Sequence, residues 1–256
     1  MLEVWVPAGT LAMGSTLSDV DDCVAAWAHR LLDTAYVPNF RSWIMKEHPR
    51  HLVEIGGFAA AKYPVTNGEF SRFLDATAGR RPESITTAQP ADHPVWGVTR
   101  VEAKAYAEWH GERTGRAWRL PTEAEWEWMA AGPEGRRYPY GTEFDPSRAN
   151  TIEAGPGRTT PVETHEDAAS WCGAVDLAGN VEEWTSSRYA PYPGGVYVED
   201  ELTLLVGRDY PILRGGCFAL GGDLTRSARR HGPHPGPRFR HTGFRLVASP
   251  RPEAAT

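Results

Sequence analysis

Between Gly132 and Gly236, proline, glycine, asparagine and aspartate recur every few residues. This punctuation constrains the fold more than any other feature. Proline removes a backbone donor and fixes φ, and the other three favour turns, so long helices and long ladders are interrupted throughout that stretch. Short elements joined by loops are what remain. Such a chain has to draw its core from large side chains, and 10 tryptophans accompany the 26 glycines and 21 prolines of the 256 residues. The aromatic residues are spread along the whole chain, which argues against disorder.

The first half carries clearer signals. Leu2, Val4 and Val6, followed by Pro7-Ala8-Gly9, read as a strand and a turn. Val20 to Leu32 fits a short helix, and the segment from there through Pro49 reads as an inserted loop. His51 to Ile55, continuing through Phe58 and Ala60, reads as a second strand. Three helix starts have capping-box spacing: Thr66 with Glu69, Thr99 with Glu102, and Thr122 with Glu125. Gly115 and Gly132 stand where the second and third should stop. Later, Pro211 to Leu213 and Phe244 to Val247 read as strands, and the tail from Ser249 onward as frayed. There is no internal repeat and no linker, so one domain over 1–256 is expected, with its core at about 4–248. From physics alone the class is α+β, loop-rich and soluble.

Charge narrows the function classes. A net charge of −6, from 27 basic and 33 acidic residues, does not suit a nucleic-acid or anionic-membrane binder. No apolar run reaches the length of a membrane span, and residues 1–9 are too short and mixed for a secretory h-region. Three cysteines, Cys23, Cys172 and Cys217, are an odd number and do not suggest a disulfide framework. A reducing, cytoplasmic setting is the expectation.

A series of motifs goes further. Pro64-Val-Thr-Asn67 precedes Phe70 and Phe73-Leu74, then His93-Pro-Val95, Gly97-Val-Thr99 and Trp109. Arg119-Leu-Pro-Thr-Glu-Ala-Glu-Trp-Glu127 follows, then Tyr138-Pro-Tyr-Gly141 and Asp176-Leu-Ala-Gly-Asn-Val-Glu-Glu-Trp-Thr185. Arg214-Gly-Gly216 and Gly243-Phe-Arg245 close the series. In that order and spacing they resemble the sulfatase-modifying-factor family over residues 4–248. That family contains formylglycine-generating enzymes, the C-terminal domains of sulfoxide synthases and a pyoverdine-maturation enzyme. The resemblance implies a C-type-lectin-like α+β fold with little regular structure. Leu120, Trp126, Trp128, Trp184 and Phe244 are expected in the core. Arg119, Arg214 and Arg245 are expected to fork onto carboxylates such as Glu125 or Glu127.

Carried over from the family, a structural calcium would be held by Asp176, the Gly179 and Val181 carbonyls, and Glu183; hard oxygen donors on a tight loop suit that ion. The alternative is that Asp176 and Glu183 cap turns or pair with arginines. At the family's other calcium site, Asn150 is in place but the downstream aspartate falls near Ala154, with only Glu153 close. A second calcium is not expected.

Formylglycine-generating enzymes bind copper(I) through two cysteines, and soft thiolates suit that ion. The first aligns with Leu220 and the second falls near Gly222 or Asp223, so classical formylglycine generation is not expected. Cys217 stands where the family usually has serine, as a catalytic candidate or as a small buried residue. Sulfoxide synthases instead hold iron(II) with three histidines, mostly from a separate helical domain. Here His231, His234 and His241 cluster in a proline-stiffened loop and are catalytic candidates for iron or copper; the alternative is a solvated basic loop. Glu182, Asp223, Arg229, Arg230, Arg238 and Arg240 are the substrate-binding candidates, the arginines for an acidic group. The groove is expected between residues 176–185 and 217–242. Substituting His231 or His234 is expected to affect function while shifting stability by well under about 1 kcal/mol, as at surface positions.

Three functions follow. The first is a metal-dependent oxidase or oxygenase acting on a small molecule or peptide in a biosynthetic pathway. The second is a non-catalytic lectin-like binding domain. The third, a hypervariable ligand-binding protein of a retroelement system, ranks last, because residues 217–242 are rich in Arg, Gly, His and Pro rather than Asn, Tyr and Ser. The oxidoreductase is preferred by a small margin.

Overall fold

Helix starts set the frame of the computed structural model, which describes residues 1–233 and 241–250. In chain order the elements are β1 (Glu3–Val6), β2 (Gly9–Met13), α1 (Leu17–Trp27), α2 (Val37–Met45), β3 (His51–Ile55) and β4 (Phe58–Ala61). Then come α3 (Asn67–Thr77), α4 (Glu83–Thr86), α5 (Arg100–Thr114), β5 (Trp118–Arg119) and α6 (Glu123–Ala131). The second half adds β6 (Glu182–Arg188), α7 (Glu201–Val206), β7 (Pro211–Arg214), β8 (Thr242–Gly243) and β9 (Val247–Ala248). All three expected capping boxes form, at Thr66, Thr99 and Thr122. Thr16 with Asp19 makes a fourth at α1.

The segment before Pro49, expected as a loop, instead contains α2. Pro38 sits in its first turn, where a missing donor costs nothing. Phe40 and Ile44, four residues apart, pack with Val20, Cys23 and Trp27 of α1.

Among the described residues the strands form three small sheets. Both described ends meet in the largest, ordered β1-β4-β9-β5 and antiparallel throughout. β2 pairs with β3, and β6 lies between antiparallel β7 and parallel β8. The strand expected from Phe244 to Val247 is divided. Phe244 and Leu246 leave the ladder to fill the core beside Phe70, Tyr106, Leu120 and Trp184. A second cluster centres on Trp126, Trp128, Leu177 and Val247. The five residues expected in the core are all buried. The arginine expectation also holds: Arg119 forks onto Glu125, Arg214 reaches Glu127 and Glu123, and Arg245 forks onto Glu183. Among the described residues no helix is long and apolar enough to cross a membrane.

Candidate functional site

Successive side chains of a strand point to opposite faces, and β6 opens with two buried acids that divide the work. Glu183 Oε1 accepts from Arg245 Nη2 at 2.7 Å; Glu183 Oε2 accepts from Arg245 Nε at 2.7 Å and from Trp126 Nε1 at 2.8 Å. Both oxygens are therefore engaged by protein donors. Glu183 is thus the acid half of a buried Arg–carboxylate fork, the arginine pairing named as the alternative to a calcium ligand.

The turn before β6 is different. Asp176, Gly179 and Asn180 all have φ between +60° and +87°. At Gly179 a Cβ would stand 2.2 Å from the Asn150 carbonyl oxygen, so only glycine fits. Asn180 Nδ2 donates to Asp176 Oδ2 at 2.7 Å, and Asn150 Nδ2 donates to Asn180 Oδ1 at 3.2 Å. Asn150 and Asp176, read from sequence as belonging to separate cation sites, are thus joined through one asparagine. Asp176 Oδ1 and Asn150 Oδ1 are buried without a partner. Burial pushes the Asp176 carboxyl up to about 7, against the pull of Asn180 and Arg245.

On the other face of β6, Glu182 Oε1 accepts from His231 Nδ1 at 2.7 Å, while its Oε2 is buried without a partner. Two backbone hydrogen bonds to Leu213 hold His231 against β7. Cys217 follows the Gly215-Gly216 turn and is 1% exposed. Burial and the Glu182 carboxylate push its thiol well above the usual range, and hydrogen bonds from the Ala219 and Leu220 N–H groups only partly offset this. Cys217 is therefore not the accessible, ionised thiol that a catalytic cysteine requires. The His241 ring lies 4.3 Å from that of Phe218 and 5.3 Å from that of Trp96.

The substrate-binding candidates separate. Arg230 spends its donors on Glu123 (2.9 Å twice) and on the Lys46 and Ala190 carbonyls, with its guanidinium over Tyr192. Those contacts hold the Arg230 guanidinium in place, and Arg230 borders the same cavity as Arg229. Glu182, fully buried, reaches His231 rather than an open groove. Arg229 keeps an unpartnered Nε, 3.7 Å from Asp223. Burial raises the Asp223 carboxyl, and Arg229, Arg226 and His231 oppose this. His234, Arg238 and Arg240 lie outside the described residues.

Asp223, Arg229 and His231 border a cavity of about 310 Å³, with Tyr36 and Trp43 in its walls. Leu220, aligned with the first missing cysteine, also borders it, as does Asp223, one of the two candidates for the second position. Lys46 and Asp200, a buried pair at 2.5 Å, line it too. They are 154 residues apart in sequence and carry no local motif, so sequence reasoning had no signal for them. Among the described residues no group of three His, Cys, Asp or Glu side chains is arranged to hold a metal.

With this geometry in view, the comparisons with known proteins are direct. The Sulfatase-modifying factor enzyme 1-like domain matches residues 2–250, and the chain belongs to that family. A hercynine oxygenase of Mycobacterium tuberculosis is 34% identical over 238 residues, covering 78% of this chain and 55% of that protein. A formylglycine-generating enzyme of Streptomyces coelicolor is 40% identical over 227 residues, covering 74% of this chain and 69% of that protein. The structure of PvdO from Pseudomonas aeruginosa superposes with a TM-score of 0.70 at 23% identity, covering 96% and 94% of the two chains, and shares the fold. The chain spans about half the length of the hercynine oxygenases it matches.

Proposed function

We propose that this chain is the lectin-like part of a metal-dependent oxygenase acting on a small molecule in a cytoplasmic biosynthetic pathway, and that it does not generate formylglycine. The observation carrying the reading is the chamber itself. Where the copper-binding cysteines would stand the chain has Leu220 and either Gly222 or Asp223, and the chamber that Leu220 and Asp223 border also holds Arg229 and a carboxylate-oriented histidine. The likeness to hercynine oxygenases supports the choice of chemistry.

The donors suit iron or copper at one position. Metal-bound histidines usually donate their second ring N–H to a carboxylate, and Glu182 accepts from His231 Nδ1 in that way, which makes Nε2 the basic nitrogen. A redox metal held there would supply oxygen activation. Arg229 would bind an acidic group of the substrate, and Tyr36 and Trp43 would exclude water. We also propose a structural calcium at the Asp176 turn, held by Asp176 Oδ1 and the Gly179 and Val181 carbonyls, without Glu183; the unpartnered oxygens of Asp176 and Asn150 support it.

Metal analysis of protein purified without chelators tests the oxygenase reading. Stoichiometric iron or copper in the parent, lost in His231→Ala, is expected. A redox metal that persists in His231→Ala, or calcium alone in the parent, would sink it. Conversion of a sulfatase-motif cysteine to an aldehyde by the copper-loaded protein, read by mass spectrometry, would overturn the exclusion of formylglycine generation.

A further inference from the structure

The chamber bordered by Asp223, Arg229 and His231 opens between leucines. Leu32 and Tyr36, from the segment between α1 and α2, and Leu205 of α7 line it and are 64%, 46% and 66% exposed. Further in, Leu31, Leu202 and Leu220 are half-buried and Leu224 is buried. Large apolar side chains exposed singly are ordinary, but three that converge on one opening mark a binding surface. α7 sharpens the point, since four of its six residues are apolar. Leu202 and Val206 pack with Tyr189, Tyr210 and Ile212, while Leu204 and Leu205 stay 83% and 66% exposed. A helix this apolar is ordinarily covered.

Polar contacts hold these walls in place without closing the opening. Lys46 pairs with Asp200 at 2.5 Å and Asn39 donates to Glu201, so α2 is tied to the start of α7. The Tyr36 and Trp43 rings pack 5.3 Å apart, and both border the cavity. The same contacts account for the acids on the walls: α2 engages Asp200 and Glu201, and Asp33 accepts from the Ala35 N–H. At the floor, Asp223 lies among Arg229, Arg226 and His231, with Glu153 also near. An apolar opening above a floor rich in cations matches a ligand with an apolar tail and an acidic head.

Volume sets the size of that ligand. A cavity of ~150 Å³ accommodates benzene, so about 310 Å³ accommodates roughly twelve carbon atoms. A flat protein partner would cover the outer leucines and leave Leu31, Leu202 and Leu224 uncovered, whereas a chain entering the cavity covers both. A second cavity, about 830 Å³, lies against α1, β2 and residues 226–228. Arginines and acids mix at its mouth, so its charge selects no ligand.

We propose that the substrate of this chamber carries an apolar tail of roughly eight to twelve carbons, lodged between Leu32, Tyr36 and Leu205. The acidic head rests on the function proposed above for Arg229; the tail rests on the leucines. The test is an NMR titration of the protein with butanoate, octanoate, decanoate, dodecanoate, tetradecanoate and 1-octanol. Affinity should rise about two- to fourfold per methylene up to dodecanoate and gain little from there to tetradecanoate, where the chain outruns the cavity. Leu32→Ser and Leu205→Ser, both at exposed positions, should each weaken decanoate about threefold or more at an unchanged melting temperature, with butanoate unaffected. Octanol should bind about tenfold or more weakly than octanoate. Equal binding of the two, with the chain-length series intact, would support the tail and remove the acidic head from Arg229. Affinity independent of chain length would overturn the proposal and leave the leucines to a protein partner. A rise that continues through tetradecanoate, or undiminished decanoate binding in both leucine variants, would overturn it as well.

Discussion

Replacing Arg245 by leucine tests the internal framework most directly. Arg245 makes five hydrogen bonds: two to Glu183 and one each to the Ala61, Lys62 and Val175 carbonyls. It therefore ties β4, β6 and the turn before Asp176 to one guanidinium that is fully buried. The substitution leaves the Glu183 carboxylate at the centre of the molecule with only Trp126 Nε1 as donor. Removing one partner of a buried pair costs about 3–5 kcal/mol, because the other charge remains uncompensated. For a chain of this size that corresponds to a fall in melting temperature of roughly 10 °C. The assay is urea unfolding of Arg245→Leu, Glu183→Leu and the double variant. The double should recover about 1–3 kcal/mol of the summed single losses, since no charge is stranded. A single loss below about 1 kcal/mol, or strict additivity, would refute the account of the fork. Glu183→Gln should also leave any response to chelators unchanged, because the proposed calcium site does not use Glu183.

Three further outcomes are expected. His231→Ala should cost about 1–3 kcal/mol in urea unfolding, not the smaller figure of a surface site, because it strands the buried Glu182 carboxylate; an unchanged midpoint would contradict the pairing. Iodoacetamide at neutral pH should label the half-buried Cys172 before Cys23 and Cys217, both buried with raised thiol pKa values; mass spectrometry showing Cys217 labelled first would reverse our reading of its environment. EGTA should lower the melting temperature of the parent but not of Asp176→Ala, since a cation bound only by the native state stabilises by mass action; identical curves with and without EGTA in the parent would remove the calcium.

Much of the fold was legible because its signals are local. A threonine and a glutamate three residues apart favour a helix start when a helix-forming run follows, as after Thr66, Thr99 and Thr122 but not after Thr160, where Glu163 lies in a turn. The helix at Val37–Met45 was missed because Pro38 reads as a turn unless it is placed in the first helical turn. The site was less legible for a different reason. Glu182 and Glu183 are neighbours of one chemistry, and only the strand's alternation assigns one to a histidine and the other to an arginine. Arg229 and Arg230 are likewise adjacent and identical, yet Arg230 is consumed by Glu123 while Arg229 keeps an unpartnered Nε. Lys46 and Asp200 meet through tertiary structure alone.

The run from Arg226 to Arg230 also restricts how this chain can diverge. Its guanidiniums are moored to acids on separate elements: Arg226 to Glu47 just past α2, Arg229 toward Asp223, and Arg230 to Glu123 at the start of α6. Both cavities lean on the same run. Adding or removing one residue there would pull three buried cations off their anchorages together and deform both chambers at once. The stretch is therefore frozen in length. Descendants can exchange side chains along it one at a time, while insertions are better tolerated in exposed connections such as residues 78–81.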